Sequence, residues 1–260
     1  MIRSILFTIA FYASTVVMLV GLSWLLLMPR SWAMAALELH AHVTVWLLKV
    51  IVGTEMQVRG REKLPAGPAL MASKHQSAWD TIALIPLFAD PALVMKHELT
   101  RIPVYGWFCA KFQMIFVRRE AGPKALRQMA RDAKDRAEAG REVLIFPEGT
   151  RRAPGAPPDY KPGVLMLYDH LDLPCYPIAL NSGLYWPRRS WMRYPGTIIV
   201  EVLDPIPPGL PRKEFLSRLR GAIEGACDRL LVEAAESPQP PPLPESARIR
   251  LAELEAASKN

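Results

Sequence analysis

The chain predicts an α/β fold, a mixed central sheet flanked by helices, carrying an N-terminal hydrophobic helix as the first arm of a helical hairpin that anchors it to a membrane. Three observations carry this expectation. Residues 5–28 contain no charged side chain. Beyond Gly53 short apolar runs alternate with amphipathic helical stretches, the signature of a layered α/β domain. A proline-rich spacer over 238–244 then separates this region from a charged tail over 245–260.

The anchor comes first. Roughly 20 apolar residues suffice to cross a bilayer, and the run over 5–28 reaches that length between Arg3 and Pro29-Arg30. Ala33-Met34-Ala35 resembles a signal-peptidase site, but the apolar run is too long for a signal core and Pro29-Arg30 intervenes, so a retained anchor is expected. Residues 31–52 mix Leu, Val and Trp with Glu38, His40, His42 and Lys49, and read as an amphipathic return arm lying in the interface. One arginine flanks each end of the first run, so charge does not set its orientation.

Strands are expected over 56–59, 69–73, 92–95, 114–117, 142–146, 175–180 and 197–203. Helices are expected over 79–88, 105–112, 123–139 and 212–235. In the third of these Leu126, Met129, Ala130 and Ala133 share one face, and Phe215, Leu216, Leu219, Ile223 and Leu230 do so in the fourth. The division is therefore an anchor over 1–54, a catalytic domain over 55–236, and a proline-rich linker with a charged tail, a solvated helix or disordered, over 237–260.

Composition narrows the function. The formal net charge is +7 and half of the residues are hydrophobic. Without zinc-finger spacing, a helix-turn-helix signal or a basic strand studded with aromatics, nucleic acid is the weakest explanation of the charge. An anionic membrane surface or an anionic substrate remains. Cys109, Cys175 and Cys227 are odd in number and far apart, so they read as plain thiols in a reducing compartment rather than a disulfide or metal set.

Three segments carry chemistry. Lys74-His75-Gln76-Ser77-Ala78-Trp79-Asp80 sits at a strand-to-helix turn, where α/β sheets place their sites. At ~100° per residue, a regular helix would hold His75 and Asp80 about 140° apart, so His75 must lie in the turn with Asp80 reaching back. Alone, the pair reads as readily as a surface histidine beside a dipole-favoured aspartate. Phe146-Pro147-Glu148-Gly149-Thr150-Arg151 follows a strand as a tight turn and brings Glu148 and Arg151 to the sheet edge beside Arg152. The third segment runs from Lys96-His97-Glu98-Leu99 through Ile102-Pro103 to Phe116-Val117-Arg118-Arg119 and points two cations out of a strand end.

Together these segments resemble the glycerolipid acyltransferases, most closely the bacterial 1-acyl-sn-glycerol-3-phosphate acyltransferases. His75, Ser77 and Asp80 match the family's His-x4-Asp motif, with Lys74 where Asn is usual. Phe116-Val117-Arg118 matches the second motif, Phe146 to Arg151 the third at every position, and Tyr176-Pro177-Ile178-Ala179 the fourth, over about Gly53 to Asn181. The resemblance implies acyl transfer from acyl-CoA or acyl-carrier protein to the sn-2 hydroxyl of lysophosphatidic acid. It assigns His75 as base and Asp80 as its orienter, with no metal and no further cofactor. Arg118, Glu148, Gly149, Thr150 and Arg151 would bind the acceptor with Lys74 and Ser77 beside them, and Arg119 and Lys161 would add to the positive field. Ser77 is expected to bond locally rather than act as a nucleophile. Glu148 is expected to meet the glycerol hydroxyl or to hold Arg151. The expected partners are membrane lipids, the lysolipid and the thioester carrier, not nucleic acid. The expected location is the inner (plasma) membrane with the catalytic domain facing the cytoplasm. Other head groups, such as lysophosphatidylglycerol or ornithine lipid, and a silent lipid-binding protein are the rival readings. A hydrolase using Ser77 or Cys109 lacks a Gly-x-Ser-x-Gly elbow.

Overall fold

The computed structural model describes residues 1–118 and 122–258; Arg119 lies outside the described residues. The chain opens with two helices, α1 (Ile2–Val16) and α2 (Arg30–Leu47), each extended by a π-helical turn, over Val17–Gly21 and Leu48–Val52. Extended Pro29 precedes α2, and Gly53, at φ 87°, ends its extension. A side chain resists that backbone conformation, so glycine is the economical stop.

Seven strands follow: β1 (Thr54–Arg59), β2 (Leu70–Ser73), β3 (Ala92–Lys96), β4 (Ile115–Val117), β5 (Val143–Ile145), β6 (Cys175–Leu180) and β7 (Gly196–Val202). Between and after them lie α3 (Asp80–Ala83), α4 (Tyr105–Lys111), α5 (Gly122–Glu138), α6 (Pro162–Leu171), α7 (Ser182–Tyr185), α8 (Arg212–Ala235) and α9 (Glu245–Ser258). The spatial order is β1-β7-β6-β2-β5-β3-β4. Only the β6–β7 pair is antiparallel among these neighbours, so the sheet is mixed as expected. The C-terminal ends of β2, β5, β3 and β4 consequently open onto one edge.

Strand period 2 sorts the side chains. Met71, Leu93, Leu144, Ile178, Leu180, Ile198 and Val200 point to one face. That face packs on Phe7, Ala33, Ala41, Leu48 and Val52 of the hairpin and on Phe108 of α4. Leu70, Ala72, Val143, Ile145 and Ile115 point to the other, against α5, α6 and α8. The hairpin is therefore one of three layers and shares a core with the sheet. Its 23-residue arm Arg30–Val52 runs from Asp90 ahead of β3 to Gly53 ahead of β1, diagonally across the sheet. Phe7 and Phe11 of α1 meet Trp186 edge-on at 5.0 and 5.4 Å.

The hairpin's outward side is apolar: Ile5, Leu6, Ile9, Val16, Val20, Trp32, Leu39 and Trp46 are all exposed. Both stretches, Ile2–Gly21 and Arg30–Val52, are long and apolar enough to cross a membrane by length and composition. So large an apolar surface marks a membrane-associating layer.

A buried charge knot fixes the far end of α2. Arg30 clasps the carboxylate of Asp90, while Glu142 accepts the backbone N–H groups of Ala89 and Asp90 at 3.1 and 3.0 Å. Arg141 donates to the carbonyls of Asp90, Pro91, Phe112 and Gln113 at 3.1–3.2 Å. Burial pushes its guanidinium down to about 10, against the pull of Asp90.

Several stretches differ from the sequence expectation. The helix expected over 79–88 is the short α3 followed by a 3-10 turn over Ile85–Leu87 that contains Pro86, and α7 had no counterpart. α6 had none either, because Pro162 and Gly163 mask a helix that Pro162 in fact starts from its first turn. The tail, expected to be a solvated helix or disordered, forms the helix α9, which packs down instead of standing in solvent: Ala247 is buried, Ser246 Oγ donates to Pro154 O at 2.8 Å, and Arg250 forks onto Asp228 at 3.0 and 2.7 Å. Arg141→Met should destabilise the protein by about 3 kcal/mol, because the carbonyls of Asp90 and Pro91 lose this donor and those of Phe112 and Gln113 keep only Arg30 and Arg136, whereas Arg59→Met, which removes an exposed pair with Glu233, should cost under about 1 kcal/mol. Denaturant melts in detergent compare the two.

Candidate active site

β2 ends at Ser73, and the chain turns through His75 into α3, whose first residue is Asp80. His75 Nδ1 lies 3.0 Å from Asp80 Oδ2. The same oxygen accepts the backbone N–H groups of Gln76 at 2.7 Å and Ser77 at 2.8 Å, and Oδ1 accepts the Ser182 hydroxyl. The aspartate thus reaches back to the turn, as its spacing from His75 required. With N–H and O–H donors on every side the carboxylate is an acceptor throughout. The Nδ1 proton therefore sits on histidine and Nε2 is left to take another. Asp80 is fully buried, whereas the His75 side chain is 14% exposed. The Phe146 ring stacks on the imidazole at 4.2 Å and fixes its plane.

His75 opens into a cavity of about 880 Å³ at the C-terminal edge of the sheet. Its wall holds apolar side chains, among them Leu93, Met95, Leu126, Met129, Ile145 and Val164. It also carries the cations Lys96, Arg151, Lys161 and Arg188 and the turn residues Gly149 and Thr150. Gly149, at φ 64°, makes the turn after β5, and its N–H donates to Phe146 O at 2.9 Å. Arg188 donates to Arg151 O at 2.8 Å. Desolvation, then the cations Arg189, Arg151 and Arg152, lower its affinity for a proton, which is what crowded positive charge awaiting an anion produces. Arg152 is already paired with Asp159, which also accepts Lys161 at 2.6 Å.

The remaining expected residues stand elsewhere. Ser77 is buried, and its hydroxyl accepts the Trp79 N–H at 3.1 Å, a local bond away from the cavity wall. Arg118 is exposed and donates to His97 Nε2 at 2.8 Å; it is not among the residues lining the cavity. Lys74 points to the other side of β2, where its ammonium is 2% exposed and donates to Glu148 at 2.8 Å. Glu148 touches the cavity, but its carboxylate is turned inward, to Lys74 and, at 3.4 Å, to the His75 N–H. Its expected link to Arg151 gives way to this buried cation, which a carboxylate stripped of water needs. Burial raises the Glu148 carboxyl above its ordinary range and Lys74 opposes that rise.

Ser182, Lys96 and Arg188 are the site residues that sequence reasoning missed. Lys96 offered a signal, as the last residue of a strand whose neighbour ends beside it at Val117. Ser182 and Arg188 lie beyond the motifs, and only the fold brings them in.

The arrangement is an aspartate-held histidine open to a cavity. Residues 55–181 match the family model described as Acyltransferase. It is 40% identical over 158 residues to a 1-acyl-sn-glycerol-3-phosphate acyltransferase of Pseudomonas aeruginosa, covering 61% of this chain and 62% of that one. It is also 28% identical over 162 residues to a 1-acyl-sn-glycerol-3-phosphate acyltransferase alpha of Mus musculus, covering 61% and 57%. The chain thus spans about three fifths of the length of these relatives. The crystal structure of the 1-acyl-sn-glycerophosphate acyltransferase PlsC from Thermotoga maritima has the same fold, with a TM-score of 0.74 at 23% identity over 88% of this chain and 96% of that one.

Asp80→Asn places an amide N–H where buried N–H groups need an acceptor. It should destabilise the protein by about 2 kcal/mol. It should also abolish the downfield proton NMR signal of the His75 Nδ1–H. Both are measurable without substrate.

Proposed function

We propose that this protein transfers a fatty acyl group from a soluble thioester, acyl-CoA or acyl-carrier protein, to the sn-2 hydroxyl of 1-acyl-sn-glycerol-3-phosphate, giving phosphatidic acid. One observation carries the reading. An aspartate-held histidine stands in a cavity lined by both cations and apolar side chains. A phosphate and a fatty chain together require both kinds of lining.

Catalysis follows from these residues. His75 Nε2 takes the proton of the acceptor hydroxyl as its oxygen attacks the thioester carbonyl, general-base help worth typically about 10²–10⁴-fold. Asp80 holds the ring and offsets the charge of the imidazolium. Collapse of the tetrahedral intermediate breaks the carbon–sulfur bond, and the imidazolium proton goes to the departing thiolate. The substrate hydroxyl is the nucleophile, so no acyl-enzyme forms; Ser77, engaged with Trp79, is not needed as one. Arg151, Arg188, Lys96 and Lys161 bind the phosphate, a crowd of cations that favours a phosphomonoester over a zwitterionic head group. The apolar hairpin keeps this edge beside the lipid. We place the protein on the inner membrane with the cavity facing the cytoplasm, where the soluble thioesters are made, its sequence divided as anchor, catalytic domain and tail.

Thiol release from palmitoyl-CoA by detergent-purified protein should require lysophosphatidic acid, yield phosphatidic acid and fall by at least about 10³-fold in His75→Ala. Release that survives this substitution overturns the mechanism, and an acyl adduct in the intact mass spectrum would replace it with a covalent one.

Gly163 lines the apolar wall, and a Cβ there would meet Met129, Ile145 and Leu126 at 3.6–4.0 Å. Gly163→Leu should therefore fill the deep end and shift the preference from palmitoyl to shorter donors by about tenfold in kcat/KM, an amount that a few methylenes in an apolar pocket can supply. Competition between donors of different length reads that ratio directly.

A further inference from the structure

Behind His75, on the side away from the substrate cavity, three charged side chains are shut together. Lys74 Nζ donates to Glu148 Oε1 at 2.8 Å and to both oxygens of Glu224 at 2.9 and 2.8 Å. Glu224 comes from α8, outside residues 55–181 that match the family. Its carboxylate also accepts the Tyr160 hydroxyl at 2.9 Å. The chain of contacts runs from α8 through Lys74 to Glu148, and from Glu148 to the backbone N–H of His75. The Glu148 side chain is fully buried and that of Glu224 is 21% exposed.

The charges do not balance within the group, which holds one ammonium and two carboxylates. Desolvation pulls the Lys74 ammonium down, but Glu148 and Glu224 outweigh it and hold it above its ordinary range. Lysine stands here where the resemblance leads one to expect asparagine. A neutral amide would leave Glu148 facing Glu224 with no cation between them, at a cost no buried pair of carboxylates escapes. Lys74 and Glu224 therefore make sense only as a pair.

The geometry points to Glu224 as a positioning residue: it holds Lys74 against Glu148, and Glu148 in turn holds the main chain at His75, so that the last long helix of the catalytic domain takes part in setting the base. This rests on the acyl-transfer reading for its kinetic test and on the hydrogen bonds alone for its structural one. Outer contacts that orient a reacting group through an intermediary cost about 10–100-fold when removed.

The test uses the full chain in detergent with Glu224→Gln, Lys74→Met and the double variant. Turnover is measured with palmitoyl-CoA and lysophosphatidic acid, together with thermal stability and amide hydrogen exchange at His75. Glu224→Gln should lower kcat about tenfold while KM stays within about twofold and the protein remains fully folded at the assay temperature. Lys74→Met, which strands two carboxylates, should lose about a hundredfold, and adding Glu224→Gln to it should recover at least about tenfold. That recovery is a result a merely structural loss would not give. Exchange at the His75 amide should quicken in Glu224→Gln. This last readout needs no substrate, so a wild-type protein that acylated no lysolipid would defeat the functional reading and leave the network to be judged by exchange. Wild-type kcat in Glu224→Gln, losses that multiply in the double variant, or unchanged exchange at His75 would each overturn the assignment.

Discussion

The Asp80 carboxylate is the point from which the site is built. It sits without water and receives the His75 ring, two consecutive backbone N–H groups and a serine hydroxyl from the far side of β6. Ionic acceptors with several donors are the strong case among hydrogen bonds, and here the donors come from the turn itself. The turn after β2 is therefore wound around the carboxylate, and the histidine has one place to be. Gly183 closes the same region from α7, just past the end of β6. Its N–H donates to Gln76 Oε1 at 3.0 Å, and a Cβ on it would come within 2.9 Å of Gln76 and Pro154. The loops at the sheet edge are thus packed on one another, which is the rigidity a base needs if it is to meet its proton in one geometry.

The two sides of the His75 turn meet different demands. On the cavity side the cations Arg151, Arg188 and Lys96 have no carboxylate partner among the described residues. On the other side Lys74 is saturated by two glutamates. A lysine and a glutamate that lie within the motifs thus have interior duties, while cations from strand ends and loops face the cavity. Position in a motif and contact with a ligand are separate properties, and burial is what tells them apart.

Much of the fold was legible because the signals were local. All seven strands read as short apolar runs, and the faces of α5 and α8 read from their helical period. The His75–Asp80 pair was ambiguous from spacing alone and was singled out by the set of motifs around it. What was hidden depends on packing between distant segments. Glu224 is an ordinary acid on an amphipathic helix until α8 lies on β6, and Ser182 is an ordinary serine until β6 ends beside α3. The helix α6 was hidden by a proline and a glycine whose usual meaning is a loop. The inward turn of Glu148 was hidden because a motif gives the order of residues and says nothing of which way each one faces.

The hairpin has a bearing on how such a protein comes into being. Its inner side covers Met71, Leu144, Ile178 and Ile198 of the sheet, while its outer side is equally apolar. A sheet born without it would have one bare greasy face, and a hairpin born without the sheet would be greasy all round. Neither part is a finished object in water. Sheet and hairpin therefore depend on each other for cover, and a break between them would bare apolar surface on both.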